Sequence, residues 1–209
     1  MKRANTKRGR PRDPERVKRV LQAAAGQFIE HGFVRASVDA IAKASGVSKV
    51  TIYSYFPTKE ALFKAAVANT TDEVFASLPP GALDPDNPES TLTMIGKAVL
   101  KLKRSDEVVG SFRMMFAAAG EHIGACEAFY RQGPEKLTLQ VAEYLRAANT
   151  AGSLSISSPY EAADQFLSLF LGCAHIRVML GLGKPKASED ARLVRANVAL
   201  FLRAFHGSA

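Results

Sequence analysis

Between Lys49 and Tyr55 the chain sets a cation, two hydroxyls and two phenols in close order: Lys49, Thr51, Tyr53, Ser54 and Tyr55. No carboxylate pair stands with a histidine partner, and neither His-Glu-x-x-His nor Gly-x-Ser-x-Gly occurs, so nothing here points to an enzyme. Gly181-Leu182-Gly183-Lys184-Pro185 is neither a dinucleotide fingerprint nor a P-loop. His122 and Cys126 have the spacing of two metal ligands on a helix, but no further ligand follows at a suitable interval, and no metal or cofactor is expected. Glu121 and Glu127 beside Cys126 would raise a thiol pKa rather than activate it. What the Lys49–Tyr55 groups can do together is donate to phosphate oxygens and touch base edges. Lys59 adds a cation beside the exposed N–H groups of a helix start, a natural phosphate site.

The charge supports that chemistry. Of a net +8 over 209 residues, residues 1–64 carry fourteen cations against five anions, and the rest fourteen against fifteen. An excess confined to one segment implies a polyanionic partner there. The densest part is an arm, residues 1–12, without apolar periodicity. In it Arg8-Gly9-Arg10-Pro11-Arg12 resembles the core of an AT-hook, whose extended arginines suit a narrow minor groove. Plain phosphate attraction is the alternative. A protein coating DNA by charge alone would be basic throughout, whereas residues 65–209 are near neutral. No apolar run reaches the roughly 18 residues of a membrane span. No signal-peptide core follows the basic N-terminus, and two distant cysteines suit a reducing compartment, so a cytoplasmic protein is expected.

Short helices must present these groups. Asp13-Pro14 starts one, with Val17, Val20, Leu21, Ala24 and Phe28 on one face and Gly32 at its end. Ser37 caps residues 38–44, Gly46 sits in a tight turn, and Ser48 caps residues 49–56. Thr58 starts a fourth helix after Pro57. Pro79 to Pro88 reads as a loop or linker. Beyond it helices are expected over residues 89–103, 106–122, 126–148, 159–182 and 187–206. The expected fold is all-α, with a three-helix DNA-binding domain over residues 13–63 and a helical bundle over residues 64–209.

Two short amphipathic helices around a glycine turn make a helix-turn-helix, whose second helix enters the major groove. Phe33, Ser37-Val38-Asp39-Ala40-Ile41-Ala42, Ala44-Ser45-Gly46-Val47-Ser48-Lys49, Thr51-Ile52-Tyr53-Ser54-Tyr55-Phe56 and Lys59-Glu60-Ala61-Leu62-Phe63 resemble the N-terminal domain of TetR/AcrR-type transcriptional regulators. The resemblance implies that Lys49, Val50 and Tyr53 face base edges while Ser37, Thr51, Tyr55 and Lys59 hold phosphates. Val50 departs from the glycine common there; it could meet a thymine methyl or displace the helix outward. Phe129 to Pro134 and residues 163–182 are similar to an AcrR-type C-terminal subgroup.

That resemblance implies a ligand pocket in the bundle and a dimer interface from its last two helices. Phe112, Met114, Met115 and Phe116 form a polarizable cluster of the kind found at adaptable binding surfaces, or a gap-filling core. Together with Phe129 and the donor His175 they are the expected pocket for a largely apolar effector. Phe166, Leu167, Phe170 and Leu171, then Val198, Phe201 and Leu202, make two broad apolar stripes. They suit a four-helix contact with a second copy, or the completion of the monomer core. The expected protein is a dimeric, effector-released repressor on a palindromic operator.

Overall fold

The computed structural model describes residues 13–205, and every element in them is helical or irregular. The chain divides into two compact units between Ala66 and Val67. The Pro79–Pro88 loop lies within the second unit, so it is not where the units part. Side chains of two later helices hydrogen-bond to its backbone. The Thr91 hydroxyl donates to the Ala82 and Asp84 carbonyls at 3.0 and 3.1 Å, and the Tyr144 hydroxyl reaches Asp84 at 3.0 Å.

In the first unit, helix α1 (Pro14–Arg35) begins where the Asp13 carboxylate accepts from the Glu15 and Arg16 amides, at 3.1 and 3.5 Å. Gly32, at φ 75°, breaks its regular path, and the Ala36 amide closes back on the Gly32 carbonyl at 3.1 Å. Helix α2 (Val38–Ser45) is capped by Ser37 and ends on Gly46 at φ 67°. Ser48 caps α3 (Lys49–Tyr55), and the Thr58 hydroxyl accepts from Ala61 at the start of α4 (Lys59–Ala76), which runs past Ala66 into the second unit. Val20, Ala24, Phe28, Ile41, Val47, Ile52, Leu62 and Phe63 are buried as one small core. Phe63 meets Phe28 and Phe33 edge-on at 5.0 and 5.3 Å.

In the second unit α5 (Pro88–Arg104), α6 (Asp106–Ala118), α7 (Ile123–Tyr130), α8 (Lys136–Thr150), α9 (Pro159–Ser168), α10 (Cys173–Met179) and α11 (Ala187–Phe205) follow in order. The core gathers Leu92, Ile95 and Val99 of α5 with Val141, Leu145, Phe166, Val194 and Phe201. Gly96 permits the closest approach: a Cβ there would lie 3.1 Å from the Phe170 ring and 3.3 Å from Val194.

Three expectations change. Residues 126–148 are not one α-helix: Arg131–Glu135 forms a π-helical turn. Pro134 within it has no N–H and crowds the preceding turn, which the wider π turn accommodates. Residues 159–182 are two helices, interrupted at Leu169–Gly172, where Gly172 is extended at ψ −171°. Phe170 turns inward across that break. Finally, Phe166 and Phe170 are 0 and 1% exposed, and Leu167, Val198 and Phe201 are also buried in this unit's own core. A side chain without surface cannot touch a second copy, so these five complete the monomer core. Of the expected interface, Leu171 is exposed and Leu202 half-buried.

Candidate nucleic-acid interface

Ile52 anchors α3 to the small core, so the opposite side of the helix faces outward. Val50 is 82% exposed and Tyr53 39%, with Lys49 and Ser54 beside them in solvent. A seven-residue helix would not persist alone in water. Its cap and its buried isoleucine hold it to α2 across the Gly46 turn, which makes the exposed row a fixed surface.

The polar groups differ in how free they are. Lys49 Nζ donates to Asp39 Oδ2 of α2 at 2.9 Å, and that hydrogen bond, with the charge of Asp39, raises the ammonium pKa. The pairing is open to solvent, so it orients the lysine without committing it. Thr51 Oγ1 sits 2.9 Å from Ser48 Oγ, and Ser54 donates to the Thr51 carbonyl at 2.7 Å. Tyr55 is half-buried, edge-on to Phe56. Ser37 is exposed while its oxygen accepts from the Ala40 amide at 3.4 Å. Glu60, in the first turn of α4, has its carboxyl pKa lowered by its own backbone N–H and the Thr58 hydroxyl.

Lys59 is the most engaged. Its ammonium donates to the Val34 carbonyl at 2.8 Å and to Ala36 at 3.4 Å, 5.0 Å over the Phe33 ring. It therefore fastens the α1–α2 connection, with one N–H left for another acceptor. Neither the Lys49–Asp39 pair nor this fastening has a local sequence signal. Asp39 and Lys49 are ten positions apart, and only the turn brings them together. Arg8 and Arg10 lie outside the described residues.

The residues expected to line a pocket are partly gathered. The Phe112 ring stands edge-on to Phe129 at 5.1 Å, and Met115 and Phe129 are buried. Phe116 is 67% exposed, one step of about 100° around the helix from the buried Met115, with its ring 5.9 Å from that of Phe112. His175 is half-buried on α10. Among the described residues no three His, Cys, Asp or Glu side chains are placed to hold a metal ion, and no helix is long and apolar enough to cross a membrane.

Two family models match this chain. Residues 20–66 match the bacterial regulatory proteins of the tetR family, and residues 90–207 match the C-terminal domain of AefR-like transcriptional repressors. The HTH-type transcriptional regulator YvkB of Bacillus subtilis is 25% identical over 192 residues, 89% of this chain and 95% of that protein. YdeS of the same organism is 40% identical over 68 residues, 32% of this chain; the chain thus spans 34% of the length of YdeS. Among solved structures, the Flavonoid-responsive Regulator FrrA is 32% identical with a TM-score of 0.70, covering 94% of this chain and all of that one. With models matched over both units and a relative aligned along its whole length, the chain belongs to the TetR family of transcriptional regulators, helix-turn-helix DNA-binding proteins and not enzymes.

Proposed function

We propose that the protein is a repressor that binds a palindromic operator as a dimer and is released by a small, largely apolar effector. The exposed row Lys49, Val50 and Tyr53 on a capped, anchored α3 carries this reading, because a fixed row of such groups can discriminate bases. Ser37, Thr51 and Tyr55 hold phosphates around it, and Arg8 and Arg10 of the arm add charge along the duplex. Val50 stands far enough out to meet a thymine methyl.

Dimerisation draws on surface that the core leaves uncovered. Leu171, Ile176, Leu180 and Leu182 around α10 and Leu200 on α11 are exposed leucines and an isoleucine. Ala196, Ala199 and Leu200 give α11 a flat outward stripe suited to close packing with a second copy. The two α3 helices of a dimer would then lie about 34 Å apart, one turn of DNA. Phe112, Met115 and Phe129 supply the apolar part of the effector site, and the likeness to a flavonoid-responsive regulator favours a small ring-containing compound. A ligand that favours another spacing of the half-site readers lowers DNA affinity by its preference between the two states.

Selecting bound fragments from genomic DNA with the purified protein tests the reading. A recurrent inverted repeat is the expected product. Fragments without a common sequence would favour a charge-driven architectural protein.

A further inference from the structure

The second unit buries cations where its helices converge. Lys103 and Arg104 end α5, and Arg104 is only 8% exposed. Its Nη1 donates to the Ala174 carbonyl at 3.5 Å and its Nη2 meets Asp190 of α11 at 3.4 Å, both at the long end for hydrogen bonds. Its Nε is buried with no partner. Next to Ala174, His175 also has a buried nitrogen, Nδ1, with no partner. Lys103 is half-buried, and burial with the neighbouring Arg104 lowers its pKa to about 8. The imidazole of His175 is likewise pushed down, by burial first and then by Lys103 and Arg104.

Buried polar groups almost always find a partner, and like charges withdrawn from water repel strongly. Here two orphaned nitrogens belong to side chains on α5 and α10, which pack together, and Arg104 reaches the Ala174 carbonyl beside His175. The ammonium of Lys103, with no ion-pair partner among the described residues, ends the same helix α5. An acceptor carrying negative charge would relieve all three. Two fixed cations against one carboxylate leave a single positive charge, which matches a monoanion better than a phosphate dianion. The planar guanidinium and imidazole suit a carboxylate in hydrogen-bond geometry. Because α10 packs against α5 and also against α6, which carries Phe112 and Met115, an apolar body could extend from the charged end toward those side chains.

We infer that Arg104, His175 and Lys103 form a binding site for the carboxylate of a monoanionic organic acid, the charged end of the effector. The inference rests on the ligand-responsive reading above and specifies the chemical class of the ligand. Octanoate and benzoate, each against its uncharged amide, are the probes. Calorimetric titration into the full-length protein should find the acids binding wild type at least about tenfold more tightly than the amides, the worth of one charge-assisted hydrogen bond. Lys103→Met and His175→Phe should each lose about tenfold for the acids and change little for the amides, with cooperative thermal unfolding confirming that both variants fold. Acids and amides binding alike, neither acid binding at millimolar concentration, or acid affinity unchanged in both variants would overturn the site. Operator binding separates the two readings. Release by the amides as well as the acids would keep effector control and discard the anion site; acid binding without release would keep the site and discard effector control through it.

Discussion

Lys49 and Lys59 carry the same charge with opposite obligations. Lys49 makes one solvent-open ion pair, to Asp39, and can exchange it for a base or a phosphate at little cost. Lys59 supplies two carbonyls and a ring in the α1–α2 connection, groups that would lose their donor if it left. Lys59→Met should therefore lower folding stability by about 1–2 kcal/mol in denaturant melts. Lys49→Ala should stay within about 0.5 kcal/mol of wild type in the same melts. The reverse order would show that Lys59 is free for DNA and Lys49 structural. The types and spacing of Lys49, Val50 and Tyr53 were legible in the sequence because recognition uses what a short helix exposes. The fastening role of Lys59 was not, since its acceptors Val34 and Ala36 are backbone carbonyls more than twenty positions away.

Helices α1 to α4 were readable because their signals are local: Asp13, Ser37, Ser48 and Thr58 each accept from an amide two or three residues on, and Gly46 takes the left-handed turn. The break between α9 and α10 was not readable, because residues 159–182 are helical by pattern throughout. What decides the break is distant: Phe170 packs where Gly96 of α5 leaves room. The burial of Lys103 is equally invisible, since Lys101, Lys103 and Arg104 read as an ordinary basic helix end. It has a pH signature. With its folded pKa lowered to about 8 from an ordinary 10.5, the unfolded chain binds more protons between those values, so this group makes stability rise with pH there. The groups beside it are the Arg104 guanidinium and His175, whose lowered pKa leaves it neutral in that window. Denaturant melts across the window should give a flatter pH dependence for Lys103→Met than for wild type; identical profiles would mean Lys103 is solvated.

For the assembled regulator, two halves of the molecule answer different questions. Ile176→Asp or Leu180→Asp places a charge on exposed surface, and sedimentation should find a folded monomer with weakened operator binding. Phe170→Asp instead buries a charge in the core and should unfold the second unit. A wild-type protein that sediments as a monomer at micromolar concentration would end the two-half-site arrangement. Deleting residues 2–12, with their six cations, should make the slope of log affinity against log salt shallower, by roughly 0.9 for each phosphate that the arm neutralises. The most direct test of the central claim, that α3 reads sequence, compares affinity for a genomically selected fragment with affinity for random duplex at one salt concentration. Wild type should prefer the fragment by about 10³-fold or more. Lys49→Ala should lose roughly 1–3 kcal/mol on the fragment and clearly less on random DNA. Equal wild-type affinity for both duplexes, or equal losses on both, would contradict it.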